Sequence, residues 1–435
     1  MCRRQNEADT AKPIKKVEGE QFDQHNINLL SILSPKKLGF PRSEGSDLWG
    51  WTDHKSGRNY ALMTLSSGTA FVDISNGKRP NVIGKLPSAT GASFWRDIKT
   101  YKNHAFIVSD QNGRHGLQIF DLKQLRKAKK NSIFKPDSHF KKFHSAHNIA
   151  IHAGFAYIVG ANKINRFKSR KLAKGGLLIL DLKNLKDPTI VGKFKQDGYT
   201  HDTQVVTYRG PDKVHRGKTI AFNSNEDTFS IVNATDKSKL KRLSRSTYKT
   251  SGYIHQGWLT NDQEYFFQND SKDELNRSGN NKSRTHIWDV KDLDKPEYLG
   301  FHKSSEVSTD HNLYIKNDLI YQANYTSGLR VLQINRVGKK RIPIKLKEIA
   351  HLDTHPEANN PESHRGAWSV YPFFDDNKII ISDTKRGLFV AKLNNFLVRE
   401  AVISSRSSPS TLDFRGDSDQ TWTDALSEIT NLSNH

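Results

Sequence analysis

Four histidines recur along this 435-residue chain at a nearly constant interval: His147, His201, His255 and His311 lie 54, 54 and 56 residues apart. Asp97, Asp202 and Asp310 stand at or beside the same repeat position. Asp110, Asn162, Glu226, Asp227, Asn269, Asp270, Asn324 and Asp383 follow at a second recurring position, one strand further on. Neutral imidazoles set among carboxylates suit a divalent metal such as zinc, copper, iron or nickel. In that chemistry Glu226 or Asp227 is the candidate catalytic base of a hydrolase or oxidase. Without a metal, the same Asp and Asn side chains would bind a polar ligand, a glycan or a peptide loop. A third role is structural, with ring nitrogens satisfying the backbone of the neighbouring repeat. Residue types leave all three open, because sequence does not fix the distances between side chains.

Stronger catalytic signatures are missing. The chain has no His-Glu-x-x-His, no Gly-x-Ser-x-Gly and no P-loop. Its single cysteine, Cys2, excludes an intrachain disulfide or a cysteine pair for metal. The reading therefore leans towards binding and away from catalysis.

The elements that must position these residues are set by a repeat. Seven similar segments begin at Gly68, Gly116, Gly176, Thr228, Arg284, Gly328 and Gly387, as in Gly68-Thr-Ala-Phe-Val-Asp-Ile and Gly116-Leu-Gln-Ile-Phe-Asp-Leu. Successive starts are 44 to 60 residues apart. Each segment is preceded by two further strand-like runs rich in β-branched and aromatic residues, and most are followed by a fourth. A period of about fifty residues with four strands per unit predicts an all-β, seven-bladed β-propeller. Strands in a blade run alternately up and down, so the start of the innermost strand and the end of the next share a face. That rule gathers the four histidines and the acidic and amide residues at one mouth of the ring.

The seventh repeat stops after three strands, near Leu393, while an unassigned strand-like run, Asn26 to Leu33, precedes the first repeat. The expectation is that this N-terminal strand completes the last blade and closes the ring, removing an exposed edge. Residues 1–24 are expected to be a flexible basic and polar leader, 25–395 the propeller and 396–435 a polar tail.

Lys and Arg total 68 against 46 Asp and Glu, a net charge of +22. The basic residues are scattered through every repeat and no nucleic-acid-binding module accompanies them, so the charge points away from nucleic acid and admits an anionic surface. No apolar run reaches the roughly 18 residues of a membrane helix. Met1 to Glu20 lacks the apolar core of a signal peptide. A cysteine near an N-terminus, followed by a polar tether, is also what a lipid-anchored bacterial protein presents. Cys2 is thus either a lipid-anchor candidate or an incidental thiol.

Several motifs together resemble the choice-of-anchor B family, whose blades are called LVIVD repeats. They include Trp49-Gly-Trp-Thr-Asp, Trp95-Arg-Asp-Ile-Lys, Ser145-Ala-His147-Asn-Ile, Gly198-Tyr-Thr-His201-Asp202, Tyr253-Ile-His255-Gln-Gly-Trp, Asp310-His311-Asn-Leu-Tyr-Ile and Gln322-Ala-Asn324-Tyr-Thr-Ser-Gly-Leu-Arg. The resemblance spans about residues 25–395. It implies a secreted or surface-tethered, extracytoplasmic propeller, and it implies no particular reaction.

Overall fold

Each of the seven repeated segments forms the third strand of an antiparallel sheet whose innermost strand comes first in sequence. The computed structural model describes residues 15–394 apart from 18–19, 166–167, 276–280, 339–341, 358–359 and 362–363, together with Leu397. Blade 1 runs through Gly45–Asp53, Arg58–Leu65, Gly68–Asp73 and Asn81–Pro87. Blades 2 to 7 open with the innermost strands Arg96–Tyr101, Asn148–His152, Asp202–Thr207, Ile254–Leu259, Leu313–Lys316 and Ala367–Tyr371. Each inner strand packs against the inner strands of the two adjacent blades, and the seventh returns to the first. The chain is a seven-bladed β-propeller.

The repeated segment serves blade-to-blade packing. In blade 1, Ala70, Phe71 and Val72 are fully buried, and Phe71 stacks on Phe120 of blade 2 at a centroid distance of 4.7 Å. The pairing of third and fourth strands shifts register at one equivalent point in six blades, at Phe71/Val72, Ile179/Leu180, Ile231/Val232, Ile287/Trp288, Val331/Leu332 and Val390/Ala391. A bulge sharpens the local right-handed twist. Repeated at one place, it adds to the turn of the outer strand away from its inner neighbours in those six blades.

The N-terminal strand closes the ring as the sequence predicts. Ile27–Leu33 pairs antiparallel with Gly387–Leu393, from Leu388↔Leu33 to Leu393↔Ile27. Alternation places Ile27 and Leu29 inside, and Ile32 and Leu33 are buried beside them. Just upstream, Gln24–His25 adds a fifth strand to blade 6 by pairing with Ile344–Leu352. One segment therefore edges two adjacent blades.

The leader differs from expectation. Lys15–Val17 pairs with Glu20–Phe22, and Phe22 is fully buried, edge-on to Phe389 at 5.5 Å. The apolar ring of Phe22 gives this part of a polar stretch a docking point. Cys2 and the stretch 396–435, except Leu397, lie outside the described residues. A second difference is a short hairpin, Asn162–Asn165 with Lys168–Lys171, inserted between the second and third strands of blade 3. Its Lys- and Arg-rich sequence carries no apolar periodicity by which to foresee it.

Side chains rivet the inner strands to one another. Asp97 Oδ2 accepts from Ile149 N at 2.8 Å, Gln204 Oε1 from Leu259 N at 2.8 Å, and Gln256 Oε1 from Leu313 N at 2.9 Å. Gly50 lets blade 7 approach blade 1: a Cβ there would lie 2.1 Å from Cε1 of Tyr371. Among the described residues no helix is long and apolar enough to cross a membrane.

Candidate functional site

The four histidines do meet. Inner strands converge on the axis, so residues at equivalent positions in successive blades stack side by side. Ring centroids are 4.1 Å apart for His147 and His201, 4.2 Å for His201 and His255, and 4.2 Å for His255 and His311. Trp368 of blade 7 continues the row at 4.5 Å from His311, and Phe94 follows at 4.7 Å from Trp368. The result is a crescent of flat rings lining one mouth of the channel.

Backbone acceptors fix two of these imidazoles. Nδ1 of His201 bonds the His255 carbonyl at 3.0 Å, and Nδ1 of His311 bonds the Trp368 carbonyl at 2.5 Å. A carbonyl only accepts, so the proton sits on Nδ1 and Nε2 keeps its lone pair. His147 differs, with Nδ1 facing Asp110 Oδ2 at 3.0 Å. Burial, helped by the neighbouring imidazoles, holds His201 and His255 well below the usual histidine range, and burial takes His311 down to about 3. These three rings are neutral at physiological pH. Successive histidine rings from His147 to His311 are tilted against one another by 53°, 43° and 46°, and two of them are hydrogen-bonded around the ring. Among the described residues the only His, Cys, Asp or Glu trio with ligand atoms all within 4.8 Å of one another is Asp212, His215 and Asp294. The crescent does not supply such a trio.

The other candidates separate into groups. Asp270 is consumed by backbone, accepting from Gly252 N at 2.7 Å and Tyr253 N at 2.5 Å. Asp383 caps its turn by accepting from Lys385 N at 2.8 Å and Arg386 N at 2.7 Å. The Asn162 amide donates to Ser145 Oγ at 2.7 Å. Glu226 has a left-handed backbone, φ 68°, and accepts from the Tyr253 hydroxyl at 2.8 Å, whereas Asp227 turns outward to Arg245 at 3.0 Å. Asn269, Asp310 and Asn324 are buried, and the Asp310 N–H donates to Glu274 of blade 5.

Asp97 and Asp202 point into the axis, one layer below the crescent. Lys99 Nζ lies there, 2.5 Å from Asp97 Oδ1 and 3.1 Å from Asp47 Oδ2, with its ammonium 4.7 Å from the ring centre of Trp49. Burial pushes both Asp47 and Asp202 up to about 7. Between this layer and the imidazoles is a slot of about 20 Å³, lined by His147, His201, His255, His311, Asp47 and Asp97 among others. That is room for little more than a water molecule.

On the far side of the charged layer the channel widens into a cavity of about 320 Å³ that opens at the opposite mouth. Trp49, Trp258, Tyr314 and Phe373 form one wall, with Trp258 and Tyr314 centroids 5.0 Å apart. Lys99, Asp202, Arg209 and Asn261 supply polar groups. Sequence reasoning missed this cavity. The available signal was alternation: inner-strand residues two positions on from an axial group, such as Lys99 after Asp97, must also face the axis.

Comparison with known proteins adds the fold and no more. No family model matches the chain, and a search of curated proteins finds no match. Among solved structures, the Cps50 (Swd1) β-propeller domain of Myceliophteria thermophila aligns with a TM-score of 0.50 at 10% identity, over 84% of this chain and 99% of that one. A protein from Lactobacillus plantarum aligns with a TM-score of 0.47 at 14% identity, over 78% and 88% of the two chains. The computationally designed Ika8 protein aligns with a TM-score of 0.46 at 7% identity, over 85% and 100%.

Proposed function

We propose that this β-propeller is a binding protein whose axial cavity takes a small polar ligand with an apolar face, of which the end of a glycan is the best chemical fit. The observation that carries the reading is the cavity itself: about 320 Å³, an aromatic wall of Trp49, Trp258, Tyr314 and Phe373, and a floor holding Lys99 and Asp202. That volume lies at the lower end of ordinary ligand pockets, which pair apolar walls with a few polar groups. A sugar ring presents C–H bonds to an aromatic face and hydroxyls to charged or amide groups. The histidine face, favoured from sequence, is closed by close-set, mutually tilted rings and leaves only a slot of about 20 Å³. Its role in this reading is to seal the channel.

A metal-dependent hydrolase or oxidase built on the imidazoles finds no support in their arrangement, for want of a ligand trio. Membership of the choice-of-anchor B family and an extracytoplasmic, surface-associated location rest on the sequence resemblance, and cell fractionation tests the location. Binding is tested by screening immobilised mono- and oligosaccharides, followed by titration calorimetry. Replacing Trp258 with Ala is expected to weaken a bound sugar at least about tenfold, the factor equivalent to about 1.4 kcal/mol of lost ring contact. His255→Ala is expected to leave affinity within about twofold, since a few tenths of a kcal/mol separate such values. Binding lost in His255→Ala but kept in Trp258→Ala would return the site to the histidine face.

A further inference from the structure

Where blade 5 meets blade 6, the chain buries more negative charge than it neutralises. The second strand of blade 5, Tyr265–Asp270, ends in Asn269 and Asp270 and leads into a turn bearing Asp273 and Glu274. Asp310 precedes the inner strand of blade 6. All five side chains belong to residues no more than 1% exposed. Asp270 is occupied by backbone N–H groups and by the Tyr248 hydroxyl. Asp273 faces His286 Nε2 at 3.2 Å and Arg284 at 3.7 Å.

Glu274 and Asp310 have no such provision. Glu274 Oε1 accepts from the Asp310 N–H at 3.1 Å, but Glu274 Oε2 and both Asp310 carboxylate oxygens have no hydrogen-bond partner. Burial and the surrounding carboxylates push both groups well above the usual carboxylate range. A second observation points into the same place. Asn269, fully buried, directs its amide N–H at Asp310 and partly offsets the rise of that carboxyl, but from beyond ordinary hydrogen-bond distance, and neither its Oδ1 nor its Nδ2 has another partner. Gln322, two residues before Asn324 on the same strand, donates to Thr285 Oγ1 of blade 5 at 2.7 Å, so alternation turns Asn324 towards blade 5 as well, and Asn324 Oδ1 is likewise buried and without a partner.

Two unpaired buried carboxylates and two unpaired carboxamide oxygens lack a positive charge that accepts oxygen ligands. We propose that Glu274 and Asp310, completed by Asn269 and Asn324, form a calcium site that pins blade 5 to blade 6. Oxygen-only donors select a hard cation, and a mixed carboxylate and amide set suits the flexible coordination of Ca²⁺ better than the strict octahedron of Mg²⁺. Zinc would want nitrogen or sulfur, and the nearby imidazole of His286 is held between Asp273 and the Tyr298 hydroxyl. Only two carboxylates take part, because Asp273 is turned to its own partners. The site is separate from the axial cavity and stands or falls independently of the glycan reading.

The test is calcium itself, on the full chain after EGTA treatment. Calorimetry is expected to show about one equivalent bound. The melting temperature is expected to rise by about 3–5 °C at a calcium concentration about 100 times Kd. The double variant Glu274→Gln/Asp310→Asn is expected to lose both responses while melting in EGTA no lower than the wild type, because it removes buried charge. The proposal is overturned if calcium neither binds nor shifts the wild type, or if the variant keeps the full shift. Neutralisation by protons alone is an overturning outcome too, seen as wild-type stability that falls with rising pH and ignores calcium.

Discussion

Asp47 offers a sharp electrostatic test of the axial layer. Its carboxylate lies on the inner strand of blade 1, 3% exposed, and shares the Lys99 ammonium with Asp97, which holds the closer contact of 2.5 Å against 3.1 Å. One cation divided between two buried carboxylates does not repay the desolvation of both. Burial therefore outweighs Lys99, and Asp47 rises from 3.8 to about 7. The folded-state value is raised, so the folded protein binds more protons than the unfolded chain between those limits. Stability from this group is complete below about pH 4 and declines as pH rises to about 7. A shift of about three units corresponds to about 4 kcal/mol. Asp47→Asn abolishes that titration while keeping the size of the side chain. Urea unfolding of wild type and variant, followed by tryptophan fluorescence from pH 4 to pH 8, gives the difference curve. The wild type is expected to lose up to about 4 kcal/mol relative to the variant across this range, with most of the change above pH 5. Parallel curves would show that Asp47 stays ionised in the folded state, and the account of the charged layer would fail.

Two further outcomes concern the scaffold. Leu29→Ala, in the closing strand, removes a fully buried side chain and is expected to cost about 2–5 kcal/mol. A chain beginning at Ser34 should recover thermal stability when a peptide covering residues 23–34 is added, as in strand addition elsewhere; no recovery would argue against closure by this strand. Gly50→Ala forces a methyl group against Tyr371 and is expected to cost about 1–3 kcal/mol in denaturant melts.

The blades, their number and the closing strand were legible in the sequence because each is written locally. A strand needs only its own alternation, and the short seventh repeat and the strand-like run before the first repeat each announce a gap. The gathering of His147, His201, His255 and His311 was legible for the same reason, since equivalent positions in a ring must converge. What those residues do was not. Whether adjacent imidazoles enclose a space depends on the ring's diameter and on rings such as Trp368, which no spacing reveals. The aromatic wall was missed because Trp258 and Phe373 come from different blades and meet only across the axis. Asp270 and Asp310 look alike in sequence, yet one is satisfied by backbone N–H groups and the other has none.

The segment that edges blades 6 and 7 also sets how the molecule would carry tension. Once Phe22 is drawn from its seat against Phe389, a pull from the N-terminal side reaches the short pairing of Gln24–His25 with blade 6 first, and the longer pairing of Ile27–Leu33 with blade 7 after it. Ladder hydrogen bonds lie across the strands, so a pull along the strand loads them together in shear instead of parting them one by one. The short pairing would yield first and leave the ring intact. For a load entering from this end of the chain, the seam would thus act as a graded release ahead of the closed ring.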